Sequence, residues 1–84
     1  MKSVWYDSEN EVAFSSKELA IKSAKVYLEK RLGCSHIETR KISDSQYVIS
    51  GIREKVLRAV ERVFIYEISV CETVKDYIEL VKES

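Results

Sequence analysis

The sequence predicts an α+β fold, a small two-layer sandwich in which an antiparallel or mixed sheet of four to five strands carries two main helices on one face, in the order ββαββ(α)βα. Three observations lead there. The stretch from Ser15 to Gly33 repeats its apolar residues at helical spacing between clear start and stop signals. Several shorter runs instead alternate every second residue and are parted by clusters of Ser, Asp and Asn. The 84 residues, 45% hydrophobic and 33% charged, suffice for one small core and not for two, so residues 1–84 read as a single domain.

The chain begins with a hairpin. Lys2 to Tyr6 and Glu11 to Phe14 are rich in Val, Trp, Tyr and Phe, and Asp7-Ser8-Glu9-Asn10 between them is a run of turn residues. Val4 with Tyr6 and Val12 with Phe14 are expected in the core, leaving Trp5 and Ala13 on the other face.

In the helix that follows, Ser15 with Glu18 forms a capping box, and Phe14 with Leu19 a hydrophobic staple. Ala20, Ile21, Ala24, Tyr27, Leu28 and Leu32 make one apolar stripe, with Glu18, Lys22, Lys25 and Glu29 opposite. The two alanines predict close approach to a sheet. Lys30 and Arg31 suit the negative end of the helix dipole, and Gly33 suits a left-handed C-terminal cap.

Ser35 to Ile42 is weakly apolar, as an edge strand is. Ser43-Asp44-Ser45 is a turn, and Gln46 to Ile52 is a better strand, with Tyr47 and Ile49 facing one way and Val48 and Ile52 the other. Residues 53–62 are ambiguous. Ile52, Val56, Val60 and Val63 fall at helical spacing among good helix formers, which favours a short helix, while a strand that bends and returns competes with it. Such a helix would permit a parallel crossover; an extended segment would make a plain meander. Arg62 to Val70 predicts the central strand, because its first half is apolar on both faces. Val74, Tyr77, Ile78 and Val81 then mark a second amphipathic helix that starts between about residues 70 and 74.

The net charge of zero conceals a layout. Residues 1–14 carry one basic group and three acidic ones, residues 15–62 eleven and six, and residues 63–84 two and five. The middle is basic and the ends are acidic. No run approaches the length of a membrane span, and Met1 to Phe14 lacks the apolar block of a signal peptide, so a cytoplasmic protein with reduced cysteines is expected.

Chemistry-bearing motifs are absent from the sequence. Cys34, His36 and Cys71 have no zinc-binding spacing, and glycine is too scarce for a phosphate-cradling loop. No metal, cofactor or catalytic residue is therefore assigned, and a non-enzymatic role is expected. Two groups of surface candidates remain. Trp5, Tyr6 and Tyr47 are residue types that dominate protein interfaces. Arg40, Lys41, Arg53, Lys55, Arg58 and Arg62 are the candidates for nucleic acid; on a helix, Lys55, Arg58 and Arg62 would lie along one side, facing phosphates, although Glu54 and Glu61 interleave with the set.

From Ser15 onward the order αββ(α)βα resembles the double-stranded-RNA-binding domain if residues 53–62 are extended. That family carries a lysine-rich signature at the start of its second helix, where this chain has Cys71-Glu72-Thr73-Val74-Lys75-Asp76. The helix from Lys17 to Gly33, with its alanines and following strands, is similar to the PepSY module, which implies a helix on a small antiparallel sheet. The functional expectation is a small protein-binding module, of the size and motif-poor character of viral or phage inhibitors of host machinery, acting by surface complementarity. The alternatives are an RNA- or DNA-binding domain using the basic middle, and a structural subunit that self-associates as a homodimer through an edge strand or its last helix.

Overall fold

The computed structural model describes residues 2–55 and 58–70. Five strands form one wholly antiparallel sheet: β1 (Lys2–Asp7), β2 (Val12–Phe14), β3 (Ser35–Ser43), β4 (Gln46–Arg53) and β5 (Ala59–Val70), in the spatial order β2-β1-β5-β4-β3. One helix, α1 (Lys17–Val26), crosses one face and runs into a π-helical turn over Tyr27–Arg31. The α+β class, the five strands and the central place of β5 agree with the sequence.

The expected short helix in residues 53–62 is not what forms there. Arg53 ends β4, and Ala59 begins β5, pairing with Arg53 across the turn. Helix propensity at these positions is overridden by the β4–β5 ladder, in which eight residues pair on each side. With no crossover helix, β5 lies antiparallel to β4 rather than parallel. The second amphipathic helix falls on residues 71–84, outside the described residues.

In the first hairpin β1 shows the opposite faces to those expected, while Val12, Phe14 and Ala13 of β2 lie as read. Trp5 pairs with Phe14 and both lie under α1, buried with Ala20, Ala24, Leu28, Ile49, Val63 and Ile65. Val4, Tyr6 and Ala13 point to the opposite face. The helix starts one residue later than expected, with Ser16 as the cap whose hydroxyl accepts the Leu19 N–H. That shift leaves Leu19 exposed and unmakes the staple with Phe14. The stripe itself is as read: Ala20, Ala24 and Leu28 are fully buried, and the alanines bring the helix close to the sheet. Gly33 is left-handed, with φ of 68°, and ends the helical segment as expected.

β5 is the long axis of the molecule. Its twelve residues extend for about 40 Å at strand rise, close to the longest dimension of 44 Å. β1 pairs along one edge with Ile65–Val70, while β4 pairs along the other with Ala59–Tyr66. The two neighbours overlap only at Ile65 and Tyr66. The sheet is thus two staggered hairpins held on one shared strand. Beyond the overlap, the Glu67 N–H donates to the Ser45 carbonyl at 2.8 Å, so the β3–β4 turn continues along β5 on that side.

Candidate interaction surface

The stagger leaves half of β5 with no described strand along one side. Glu67 turns its N–H toward β4, and successive residues of a strand direct their backbone groups to alternate edges. Odd-numbered positions of β5 therefore face β4, and Val60, Arg62 and Phe64 face the other way. No described strand pairs there, because β1 reaches only as far as Ile65. The side chains of the same three residues stand on the face away from α1, where Val60 is 52% and Phe64 42% exposed. A backbone edge and two exposed apolar side chains coincide.

Arg62 pairs with Ser50, and Arg40 with Val48, so both guanidinium groups lie on this face away from α1, across β4. Together with His36, Glu38, Ile52 and Val60 they line a shallow concavity of about 430 Å³. A bulge in β3 shapes it. Two residues, His36 and Ile37, stand between the pairs Ser35 with Ile52 and Glu38 with Ser50, opposite Gly51 alone. His36 takes a left-handed φ of 55° there, which turns its ring to solvent beside the Ser35 hydroxyl at 3.0 Å.

The other basic candidates part company. Lys41 bonds Asp44 at 2.8 Å, which holds the Asp44 carboxyl below its usual range and the Lys41 ammonium above its own. Arg53 meets Glu61 across the ladder at 3.1 Å. Lys55, Arg58 and Arg62 do not share a helix side, since they fall on a turn and a strand. What the fold does bring together is Arg53 and Lys55 with Lys30 and Arg31 from the end of the helical segment, around Gly33 and Leu32, in a concavity of about 600 Å³. Lys30 and Arg31 read in sequence only as complements to the helix dipole, and nothing in their spacing links them to residues twenty and more positions later.

The aromatic candidates are packed. Trp5 is only 9% exposed and meets Tyr47 edge-on, with ring centroids 5.8 Å apart. The Lys17 ammonium lies 5.1 Å from the Tyr47 ring centre and donates to its hydroxyl at 3.3 Å. Tyr6 packs edge-on against Tyr66 at 5.7 Å, and burial, then the charge of Glu11, pushes its hydroxyl pKa up. Trp5 therefore belongs to the core under α1. Phe64 is the exposed aromatic that composition did not single out, because Val63 and Ile65 beside it made the strand read as buried on both faces.

No protein-family model matches the chain, and neither does any curated protein or solved structure. The site must speak through its own chemistry. Cys34 is buried, its thiol pKa pushed up by that burial and by the charge of Glu61, the opposite of what a nucleophile needs. Among the described residues no three His, Cys, Asp or Glu side chains gather as metal ligands. No described helix is long and apolar enough to cross a membrane.

Proposed function

We propose that this chain is a protein-binding module that takes an extended segment of its partner as an added strand along the bare side of β5. The observation that carries the reading is the coincidence at Val60, Arg62 and Phe64 of an edge with no described partner strand and exposed apolar side chains. Strand addition draws affinity from backbone hydrogen bonds and selectivity from alternate side chains. Val60 and Phe64 supply the apolar contacts, while Arg62, with Arg40 across β4, favours an acidic residue in the incoming strand. A module of this kind blocks or recruits its partner by occupancy and requires no catalytic group, which suits an inhibitor.

A display selection of unstructured peptides on the full chain is expected to enrich sequences that alternate apolar and acidic residues. Arg62→Pro removes a backbone donor on the bare side and leaves the β4 ladder intact, since proline is tolerated at an edge. It is expected to weaken the selected peptides at least about tenfold, the loss of one or two backbone hydrogen bonds, with the circular dichroism spectrum unchanged. Peptides that bind Arg62→Pro and Phe64→Asp as tightly as the parent would sink the reading.

A second reading rests on the basic end, where Lys30, Arg31, Arg53 and Lys55 surround one concavity and Arg58 is exposed nearby. It supports nucleic-acid binding through phosphates. Affinity for a mixed-sequence RNA should then fall by about a hundredfold or more between roughly 50 and 200 mM salt, as expected for several phosphate contacts. It should fall again in the Arg31→Glu, Lys55→Glu double variant. Absence of binding at the lower salt ends this reading and leaves the first intact.

A further inference from the structure

We infer that the chain forms a homodimer by pairing β3 with β3 of a second copy, antiparallel across a twofold axis at Thr39, so that two five-stranded sheets join into one. β3 closes the sheet order, and no described strand pairs along its outer side. Eight of its nine residues are exposed and Ile37 is half-buried, so the side chains along this edge reach solvent. α1 lies over β1, β2, β4 and β5. The surface is separate from the β5 edge, and the inference does not rest on peptide binding there.

Backbone direction and charge together select the register. Val63 faces β4 and pairs with Ile49, so Ile49 turns its backbone groups toward β5, and its neighbours Val48 and Ser50 turn theirs toward β3. Their partners Arg40 and Glu38 bond inward, which leaves Thr39 and Lys41 with N–H and carbonyl groups directed outward. A twofold at Thr39 sets the outward groups of Thr39 in the two copies against each other. The same axis puts Glu38 of each copy opposite Arg40 of the other, on the face away from α1, and the two threonines opposite each other on the α1 face; both are favourable cross-strand pairs. Neither Glu38 nor Arg40 has an ion pair among the described residues. Neighbouring registers fail, because an axis at Glu38, Arg40 or Lys41 opposes like charges. The pairing irregularities of β3, between Ser35 and Glu38 and between Lys41 and Ser43, fall on either side of Thr39, and the twofold brings one opposite the other. They confine the ladder to the regular middle of the strand. Edge charges ordinarily discourage strand addition. Here they discourage other segments and favour a second copy in this one register.

Sedimentation equilibrium of the full chain tests this. The average mass is expected to rise from monomer toward dimer between about 10 µM and about 1 mM, as suits a small transient interface, and a monomer throughout that range would overturn the inference. Glu38→Arg and Arg40→Glu each oppose like charges across the axis, twice per dimer. Each is expected to weaken self-association at least about tenfold, with the circular dichroism spectrum unchanged because both side chains are exposed. Mixed in equal amounts, the two variants are expected to form a heterodimer, since every arginine then faces a glutamate, and the double swap of Glu38→Arg with Arg40→Glu is expected to restore the parent's dimer. Single variants that associate as tightly as the parent, or a mixture that stays monomeric, would overturn the pairing. So would a dimer lost in Arg62→Pro and kept in Glu38→Arg, which would place the contact on β5.

Discussion

Replacing Asp7 with alanine is expected to lower the unfolding free energy by about 2–4 kcal/mol, the cost of orphaning several donors at a buried site. Asp7 is fully buried at the end of β1, the only fully buried charged residue among the described ones. One carboxylate oxygen accepts the backbone N–H groups of Glu9 at 2.9 Å and Asn10 at 3.0 Å. The other accepts the Asn10 side-chain amide at 2.9 Å. A single side chain thus satisfies three donors and fixes the β1–β2 turn, whose last residue, Glu11, holds a left-handed φ of 55°. Alanine leaves those donors facing a void. Asp7→Asn keeps one acceptor but sets its own amide against that of Asn10, and about half the loss is expected. Urea unfolding followed by tryptophan fluorescence measures both, since Trp5 sits two residues away on the same strand and the same face. A loss below about 1 kcal/mol for alanine, a typical single hydrogen bond, would mean that the turn holds itself.

That turn also explains what the sequence could not reveal about the first hairpin. Alternation within Lys2–Tyr6 and within Glu11–Phe14 is visible in sequence, and both alternations are correct. The phase between the strands is not visible there, because it is set by turn length and register. Asp7 reads as a turn residue, yet it is the last residue of β1, paired with Val12. Once Asp7 pairs with Val12, Trp5 must sit opposite Phe14, and the tryptophan expected on the other face becomes core. The one-residue displacement of the helix cap from Ser15 to Ser16 has a similar origin, since two adjacent serines offer the same chemistry and packing chooses between them. By contrast, the stripe from Ala20 to Leu28 and the strands on either side of Ser43-Asp44-Ser45 have strong local periodicity, and each forms where the sequence places it.

The candidate surface is less legible in sequence for a related reason. The basic candidates lie close in sequence, but proximity in the fold is set by the β3–β4–β5 meander. It pairs Arg53 with Ala59, ties Arg53 to Glu61, and brings Lys55 to the side of Gly33, where its Cε lies 3.7 Å from the place a β-carbon would take. The bare side of β5 depends on where β1 stops relative to β4, a property of two registers together. No local signal carries it. The overexposed Val60 and Phe64 follow from the same stagger.

Gly51→Ala is expected to cost about 1–3 kcal/mol, the usual range for overpacking a filled core. Gly51 lies in β4 opposite the β3 bulge, on the α1 side. A β-carbon there would stand 2.6 Å from Ile37 Cδ1 and 2.8 Å from Cys34 Cβ. The first contact is the tip of a side chain and can rotate away. The second cannot, because Cys34 Cβ is fixed by its backbone, whose N–H donates to the Leu28 carbonyl at 2.8 Å at the exit from the π-helical turn. Relief therefore requires β4 to move from the helix exit, and that loosens the packing around Leu28 and Ile49. Adding Ile37→Val removes the movable clash only. The double variant is expected to recover part of the loss beyond simple addition, by about 0.5 kcal/mol or more, as coupled neighbours do. Full recovery would show that Cys34 yields after all. Because Gly51 faces α1 while Val60, Arg62 and Phe64 face the other way, peptide binding at the β5 edge should survive in Gly51→Ala at temperatures where the variant stays folded. Binding lost together with β4 packing, while β5 remains protected from hydrogen exchange, would place the partner on the concavity between Arg40 and Arg62 instead of on the strand edge.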